Sequence, residues 1–424
     1  MRKLFITMLA SAALLGPVPA SAKELTIWAI QAFNQQADEM ITQMAQDFGK
    51  EHGVTVEYSI VPANVLNERL AAAIQGNAMP DVFMNIGQQV QYFAKLGVTE
   101  PLNEVLDEMR AVDGGIYEST VSSVMYDGKA MGLPLEVDVV PMFARKDLLE
   151  DVGMGLPKTL DELREASKAI LAKNPMLTAF GMPTSDANDA ETMARMVIWS
   201  YGGEMFDKSG TKVTWNSPET IAAYKYIADM FAEGTIPRST LTWDDAGNNT
   251  AYQTGRAAFI MNPPSVYSWL KDNNPDLLAN TALIAMPAGP GEKGRSATLV
   301  SSFSWMVSNK SDNKDDAKAW LRYFFKTSNY ENVIKAVGGR WVPIFPAMTK
   351  SMPLFSQNPD FANFDEMARN GVVDGHAGPP SAWAATVNNA KIVTQSIQRV
   401  LVDGEAPEKA VAWAAEKIEE LRPN

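Results

Sequence analysis

The sequence VTVEYSIVPANVLNERLAAAIQGNAMPDVFMN, residues 54–85, contains two strand patterns separated by a helix pattern. In VTVEYSIV, apolar and polar residues alternate, as they do in a half-buried strand. Leu66, Leu70 and Ile74 recur at helical spacing, and Pro80 stands between this helix and the apolar strand DVFMN. This order of strand, helix and strand is typical of a parallel βαβ unit.

The segment before residue 54 continues the same alternation of elements. ELTIWAI, which begins at Glu24, has the pattern of a first strand. The helix-like sequence QQADEMITQMAQDFGKEHG follows, with Ile41, Met44 and Phe48 on one face and Gly53 at its end. The whole stretch therefore predicts an α/β lobe with a largely parallel sheet.

The first 22 residues have the features of a secretory signal peptide. Arg2 and Lys3 precede the apolar run Leu4 to Leu15, and Ala20-Ser21-Ala22 is a small-residue cleavage site. The apolar run is too short to span a bilayer. The chain contains no cysteine, so neither disulfides nor a lipid anchor at the leader junction is expected. We expect cleavage near Ala22 and a free protein in the periplasm.

Length and charge narrow the class of protein. A chain of 424 residues usually forms two or more lobes. The net charge of −13 argues against a nucleic-acid partner, because phosphate binding needs clustered Lys and Arg. His52 and His376 are the only two histidines in the sequence, and neither has the setting of a catalytic triad or a zinc site. We expect no catalytic residue, no metal and no cofactor.

Glu136 and Asp138 lie in the otherwise apolar sequence GLPLEVDVVPMFARKDLL, residues 132–149. In an extended segment, side chains two residues apart point to the same face, with about 6.6 Å between their Cα atoms. This distance could suit the carboxylate pair of a glycoside hydrolase. Two carboxylates side by side on one strand more naturally accept hydrogen bonds from the hydroxyls of one ligand.

Several tryptophans in loop-like or polar sequence favour a carbohydrate ligand. Trp199, Trp243, Trp341 and Trp383 are of this kind. A Trp face can pack against the C–H patches of a sugar ring while nearby carboxylates and amides bond its hydroxyls. For each one alone, core packing is an equally good interpretation.

The order of several segments resembles the extracellular solute-binding proteins of carbohydrate ABC transporters, the group that contains maltose-binding protein. The segments are LTIWAI, LAAAIQGNAMPDVFMN, GLPLEVDVVPMFARKDLLEDVG, PKTLDEL, WSYGGEMFD, TGRAAFIMNPP and GEAPEKAVAWAAEKIEEL. They extend over nearly the whole chain after the leader.

The resemblance implies a two-lobe α/β fold of the type II periplasmic-binding-protein kind, with a hinge of two or three crossing segments. The first crossing would lie at Glu136, the second near Thr281 to Ala285 and the third near Tyr330. The N-terminal lobe would comprise residues 23–135 and 284–330, and the C-terminal lobe residues 136–283 and 331–424.

The resemblance also implies a set of ligand-binding residues around the cleft. They are Gln31, Asn34, Asn85, Gln88, Glu136, Asp138, Trp243, Asn262, Ser301, Ser302, Arg340 and Trp341. Asn85 and the sequence NPPS at 262–265 depart from the family pattern, and both departures remove possible stacking platforms for a maltodextrin. Arg340 would suit an acidic or substituted sugar, or would form a structural salt bridge.

The expected function is therefore capture of a sugar or oligosaccharide by hinge closure and its delivery to the membrane permease subunits of an ABC importer. The protein would be a monomer and not an enzyme. Two alternatives stay open at this point. One is a binder of a polyol, glycerophosphodiester, peptide or other non-sugar solute, and the other is an exported glycoside hydrolase or lyase with Glu136 as its acid.

Overall fold

The computed structural model describes residues 23–32 and 34–423, so the predicted signal peptide, residues 1–22, lies outside the described residues. The strands are β1 Glu24–Ile30, β2 Thr55–Val61, β3 Val82–Ile86, β4 Met125–Tyr126, β5 Lys129–Ala130, β6 Leu133–Pro134, β7 Glu136–Val139, β8 Met142–Arg145, β9 Thr178–Phe180, β10 Ala257–Met261, β11 Thr281–Ile284, β12 Val300–Ser301, β13 Phe303–Val307 and β14 Val342–Pro343.

The α-helices of the described chain alternate with these strands and dominate its C-terminal part. They are α1 Gln35–His52, α2 Ala63–Gln75, α3 Gly87–Lys95, α4 Asn103–Arg110, α5 Glu118–Val124, α6 Lys146–Asp151, α7 Leu160–Lys173, α8 Asn188–Ser200, α9 Pro218–Ala232, α10 Gly247–Gln253, α11 Ser265–Asn273, α12 Pro275–Ala279, α13 Lys314–Phe325, α14 Thr327–Ala336, α15 Pro346–Ser351, α16 Pro353–Ser356, α17 Phe364–Asn370, α18 Ala382–Asn389, α19 Ile392–Leu401 and α20 Pro407–Glu420. Among the described residues, no helix has both the length and the apolar character needed to cross a membrane.

The first sheet has the strand order β2-β1-β3-β13-β6. Strands β1, β2 and β3 are parallel, as the βαβ pattern predicts. Strand β13 is antiparallel to β3 and to β6, so the sheet is mixed rather than largely parallel. The physical reason is that β13 enters the sheet when the chain returns from the other lobe, and it does so from the opposite direction.

Helix α1 covers this sheet through its predicted apolar stripe. Ile41, Met44 and Phe48 are buried, and burial of each such side chain contributes roughly 2 kcal/mol. The helix begins where the Asn34 side chain accepts a hydrogen bond from the backbone of Ala37 at 3.1 Å. It ends at Gly53, whose φ of 68° is a left-handed conformation that glycine adopts without strain.

The second lobe is built on the sheet β11-β8-β10-β9. Its two faces belong to different hydrophobic clusters. Met142 and Met261 pack with the helices of the second lobe, whereas Phe143 and Ile260 pack with the cluster that continues into the first lobe. Helix α7 begins as its sequence predicts, because the Thr159 hydroxyl accepts a hydrogen bond from the backbone N–H of Glu162 at 3.1 Å.

A small three-stranded sheet, β12-β7-β14, joins the two lobes. In its antiparallel pairs, Ser301 lies opposite Asp138 and Pro343 lies opposite Glu136. Strand β7 leads from the first sheet to the second, β12 leads back, and β14 follows α13 and α14 of the first lobe. The predicted first crossing at Glu136 lies in this sheet.

The other two crossings differ from their predicted positions. The segment Thr281 to Ala285 was predicted as the second crossing, but β11 pairs with β8 inside the second sheet, and Leu299 still packs in the core of the second lobe. The chain returns only at β12. Tyr330 was predicted as the third crossing, yet it is buried in α14 against the first lobe, and the crossing is made by β14. Residues 284–299 therefore belong with the second lobe, and those from 331 to the end of α14 with the first.

Candidate functional site

Amide side chains of the two lobes meet across the cleft between α3 and α18. Gln89 Nε2 donates to Asn389 Oδ1 at 2.7 Å, and Asn389 Nδ2 donates back to Gln89 Oε1 at 3.3 Å. Helix α3 directly follows β3 of the first sheet, whereas α18 packs through Trp383 and Val387 in the core of the second lobe. The pair therefore joins side chains that separate when the lobes open.

A neighbouring contact connects this pair to a buried ion pair. Asn388 Nδ2 donates to Gln88 Oε1 at 3.0 Å, and the opposite orientation of the Gln88 amide would instead donate to the Asp374 carboxylate. Asp374 pairs with the guanidinium of Arg195 on α8, and both side chains are buried. This ion pair holds Asn388 in position, since Asn388 Nδ2 lies 3.3 Å from Asp374 Oδ1.

Glu136 lies at the hinge and is completely buried. Its Oε1 accepts a hydrogen bond from the backbone N–H of Phe303 at 2.5 Å. Burial raises the pKa of Glu136 well above its usual value, and the nearby Asp138 carboxylate raises it further. The Tyr330 hydroxyl next to it donates to the Leu135 carbonyl at 2.7 Å and accepts from the Ile344 backbone at 2.9 Å. Glu136 and Tyr330 together thus connect the chain segments that cross between the lobes.

Asp138 and Arg340 form an ion pair beside Glu136. Arg340 Nη1 lies 3.2 Å from Asp138 Oδ1, and the two side chains are only 5% and 14% exposed, respectively. Burial raises the pKa of Asp138, and the Arg340 guanidinium opposes this rise. The guanidinium also lies 5.7 Å from the ring centre of Phe303. Of the two roles considered for Arg340, the geometry favours the structural salt bridge over an acidic-sugar contact.

A second polar cluster lies on the second lobe at the start of α8. Asn248 Nδ2 donates to Asp189 Oδ2 at 3.1 Å and to Asn262 Oδ1 at 3.2 Å. Burial raises the pKa of Asp189 to about 7, and the carboxylates of Asp245 and Asp138 contribute to the rise. The contribution from Asp138 indicates that this cluster is close to the hinge ion pair. Asn248 and Asn262 are buried, so of these three side chains only Asp189 is partly exposed.

Like the buried Glu136, three further predicted ligand-binding residues are used inside the protein. Asn85 is buried, donates to Asn67 Oδ1 at 2.9 Å and accepts from the Ile86 backbone at 2.8 Å. The Ser302 hydroxyl contacts that of Ser304 at 3.2 Å. Trp341 is 1% exposed and packs in the core that continues into the first lobe. The structure offers no free polar or aromatic face at these positions.

The remaining predicted residues lie at the edges of the site. Gln31 and Asn34 line a surface groove of about 580 Å³ along α1, and the Asn34 side chain already caps that helix. Trp243 is half-buried, close to Gly181 and Gly247. Ser301 pairs with Asp138 through β12. The predicted set is therefore only partly brought together, around the hinge and the Asn262 cluster.

Sequence reasoning did not identify Gln89, Asn388 or Asn389. The sequence NNAKIVTQSIQRVL predicts one helix, but the structure has a break between α18 and α19, where Lys391 adopts a left-handed φ of 54°. No glycine or proline marks this break. The break places the end of α18, with its two asparagines, opposite α3.

Comparison with known proteins identifies relatives along nearly the whole chain. A putative binding protein of Brucella abortus is 24% identical over 372 residues, which is 87% of this chain and 86% of the relative. The structure of an ABC transporter solute-binding protein from Thermotoga lettingae, bound with α-D-tagatose, superimposes with a TM-score of 0.82 at 22% identity and covers 94% of this chain and 100% of that one. Maltose-bound MalE3 of T. maritima gives a TM-score of 0.81 at 22% identity, with 95% and 100% coverage.

These structural likenesses establish the two-lobe solute-binding fold that the sequence predicts. The family model described as bacterial extracellular solute-binding protein matches residues 32–331, which include the second sheet, every strand of the first sheet except β1, and two of the three hinge strands. The family consists of binding proteins that act outside the cytoplasm. The chain belongs to the bacterial extracellular solute-binding protein family.

Proposed function

We propose that this protein is the substrate-binding component of an ABC importer and that it captures a sugar or oligosaccharide between its lobes. The observation that carries the proposal is the contact between Gln89 and Asn389, in which polar side chains of both lobes converge on one cleft. Each amide offers both a donor and an acceptor, as a sugar hydroxyl does. The tagatose and maltose bound by the two similar structures support the same ligand class.

Binding and release follow from the short hinge strands. A ligand that contacts α3 and α18 at once binds the closed arrangement more tightly than the open one, so it shifts the population toward closure. Strand β7 pairs with β12 over two residues and with β14 over two residues. Rotation of the lobes about these strands therefore distorts only a few hydrogen bonds. The closed protein is then delivered to the permease subunits, whose separate ATPase supplies the energy.

The setting of this function is the periplasm. The protein is exported with the leader of residues 1–22, which is removed near Ala22, and it works as a monomer. The family of binding proteins to which it belongs supports a role without chemistry of its own. Glu136 fits that role, because it is buried and accepts a backbone hydrogen bond, whereas the acid of a hydrolase must reach the glycosidic oxygen.

The experiment is a ligand screen of the mature protein after unfolding, dialysis and refolding have removed any bound solute. Thermal unfolding is measured against monosaccharides, oligosaccharides, polyols and glycerophosphodiesters, and each hit is titrated by calorimetry. We expect a rise in Tm that grows with the concentration of a sugar. Chromatography of the same mixtures tests for turnover. Release of sugar products, or binding confined to non-sugar solutes, would contradict the proposal.

A further inference from the structure

Met176 differs from the other methionines of the described chain because its side chain lies in water. It is 94% exposed, whereas the remaining methionines with described side chains are buried or half-buried. A thioether is apolar, and methionine normally fills gaps in a protein core. The sequence contains no cysteine, so methionine is its only sulfur-containing residue. Met176 is therefore the most accessible sulfur of the described chain.

A tight turn holds Met176 in this position. Met176 lies between α7 and β9, and the Leu177 N–H donates to the Asn174 carbonyl at 3.1 Å, which closes a turn with Met176 at its corner. Leu177 packs against the core of the second lobe, and the Thr178 N–H donates to the Arg256 carbonyl at 2.8 Å. Because these contacts fix the chain around the turn, Met176 stays at the surface while the protein is folded.

The same lobe contains many methionines that its core protects. Oxidation turns a thioether into a polar sulfoxide, which a closely packed core accommodates only at a cost in stability. An oxidant reaches such a sulfur only after the surrounding structure opens. Folding therefore gives the core methionines a protection that Met176 lacks. The buried methionines of this hydrophobic cluster are Met142, Met182, Met193, Met196, Met205, Met230, Met261 and Met286.

We propose that Met176 is a site of reversible oxidation by hydrogen peroxide or hypochlorous acid. Its thioether sulfur gives an electron pair to the electrophilic oxygen of the oxidant, so that an S–O bond forms and the O–O or O–Cl bond breaks. The sulfur is oxidised to the sulfoxide, and the oxidant is reduced to water, or to chloride and a proton. Each conversion consumes one oxidant molecule and leaves the core methionines unoxidised.

Oxidation at Met176 is compatible with the folded state. The sulfoxide oxygen stays in water, since nearly the whole side chain is exposed. The turn is held by backbone hydrogen bonds and by the packing of Leu177, and none of these contacts involves the Met176 side chain. A methionine sulfoxide reductase can bind the exposed group, and its thiols return the sulfur to the thioether while they form a disulfide and release water. This chemistry is independent of the solute that the cleft binds.

The test measures the oxidation rates of individual methionines in the mature, folded protein. Hydrogen peroxide is added, samples are quenched at intervals, and tryptic peptides are sequenced by mass spectrometry. Cleavage after Lys173 and after Arg195 releases the peptide NPMLTAFGMPTSDANDAETMAR. This peptide carries Met176 together with the buried Met182 and Met193, which serve as internal controls. We expect Met176 to be oxidised about tenfold faster than either of them.

Further measurements establish that the fold causes the selectivity and that the oxidation is reversible. In urea-unfolded protein the three methionines should react at similar rates, and Met176→Leu should remove only the fast reaction of the folded protein. Protein oxidised at Met176 should keep its Tm, and methionine sulfoxide reductases of both stereospecificities, with a dithiol, should restore its original mass.

Equal rates for the three methionines in the folded protein, or faster oxidation of Met182 or Met193, would overturn the assignment of the site. A lower Tm after oxidation of Met176, or a sulfoxide that the reductases leave unchanged, would overturn its reversible character in the folded protein.

Discussion

Gln89 and Asn389 form a reciprocal amide pair across the cleft, with hydrogen bonds of 2.7 Å and 3.3 Å. The two residues are 300 positions apart in the chain and belong to different lobes. Because the pair forms only when the lobes are together, its free energy is a direct contribution to the closed state.

Gln89→Ala and Asn389→Ala should therefore shift the ligand-free protein toward the open state. Small-angle scattering should give a larger radius of gyration for each variant, and sugar affinity should fall about fivefold, the worth of roughly 1 kcal/mol. Because each substitution breaks the same pair, the double variant should show little more than either single one. Gln43→Ala is the control, since Gln43 is an exposed amide bonded within α1 to Asp47. An unchanged radius in all variants would contradict a closing role.

Two substitutions of Glu136 should distinguish the contribution of its hydrogen bond to stability from the effect of its ionisation. Glu136→Ala leaves the buried N–H of Phe303 without its acceptor and should cost about 2 kcal/mol in the free energy of unfolding. Glu136→Gln keeps the acceptor and cannot ionise. Because the folded-state pKa of Glu136 is raised, its contribution to stability is present at low pH and is lost as pH rises from about 4.5.

The stability of Glu136→Gln relative to the wild type should consequently increase with pH. Urea unfolding at pH 5 and pH 8 measures this difference. A constant difference between the two pH values would mean that Glu136 carries its charge in the folded protein.

Removal of one partner of the Asp138–Arg340 ion pair should strongly destabilise the protein. Asp138→Asn leaves the buried Arg340 without this carboxylate and should destabilise the protein by about 3 kcal/mol. The double variant Asp138→Asn, Arg340→Met should recover part of the loss. Glu108→Gln is the control, since Glu108 pairs with Arg322 at the surface, and its loss should cost less than about 1 kcal/mol. Guanidinium unfolding measures the loss of stability in each variant. An equal loss for Asp138→Asn and Glu108→Gln would contradict the prediction that the hinge pair costs more to break than a surface pair.

Asp189 should give stability a dependence on pH between its usual pKa of 3.8 and about 7. The folded state holds the proton in this range and the unfolded state does not, so stability from this group falls as pH rises toward 7. Asp189→Asn removes the titration, and its Tm relative to the wild type should rise between pH 4 and pH 7.5. Asp186→Asn, which removes an exposed carboxylate from the preceding loop, controls for net charge. A flat difference for Asp189→Asn would place its titration outside this window.

The local elements were predictable because each depends on nearby residues. The alternation in β1 and β2, the stripe of α1 and the cap at Thr159 all follow from side chains within one or two turns. The parallel pairing of β1, β2 and β3 follows from the helices between them. These features do not depend on where the rest of the chain goes.

The positions of the crossings and of several site residues depend on contacts between residues far apart in the sequence. Such contacts cannot be predicted from local sequence patterns. Thr281–Ile284 has a strand pattern whether it pairs with β8 or crosses the hinge, and only packing in three dimensions decides. Trp341 has polar neighbours but fills the core. Asn389 is brought to the cleft by the left-handed backbone at Lys391, a residue type that does not indicate such a turn.

The position of β13 between β3 and β6 has a consequence for folding of the protein during its synthesis. The first sheet lacks an inner strand until residue 307 has been synthesised, although its first three strands are complete by residue 86. During most of translation the nascent chain therefore exposes an unfinished edge and cannot form its first lobe. The predicted leader of residues 1–22 would emerge long before that lobe can close, so we expect the chain to reach the export machinery in an unfolded form.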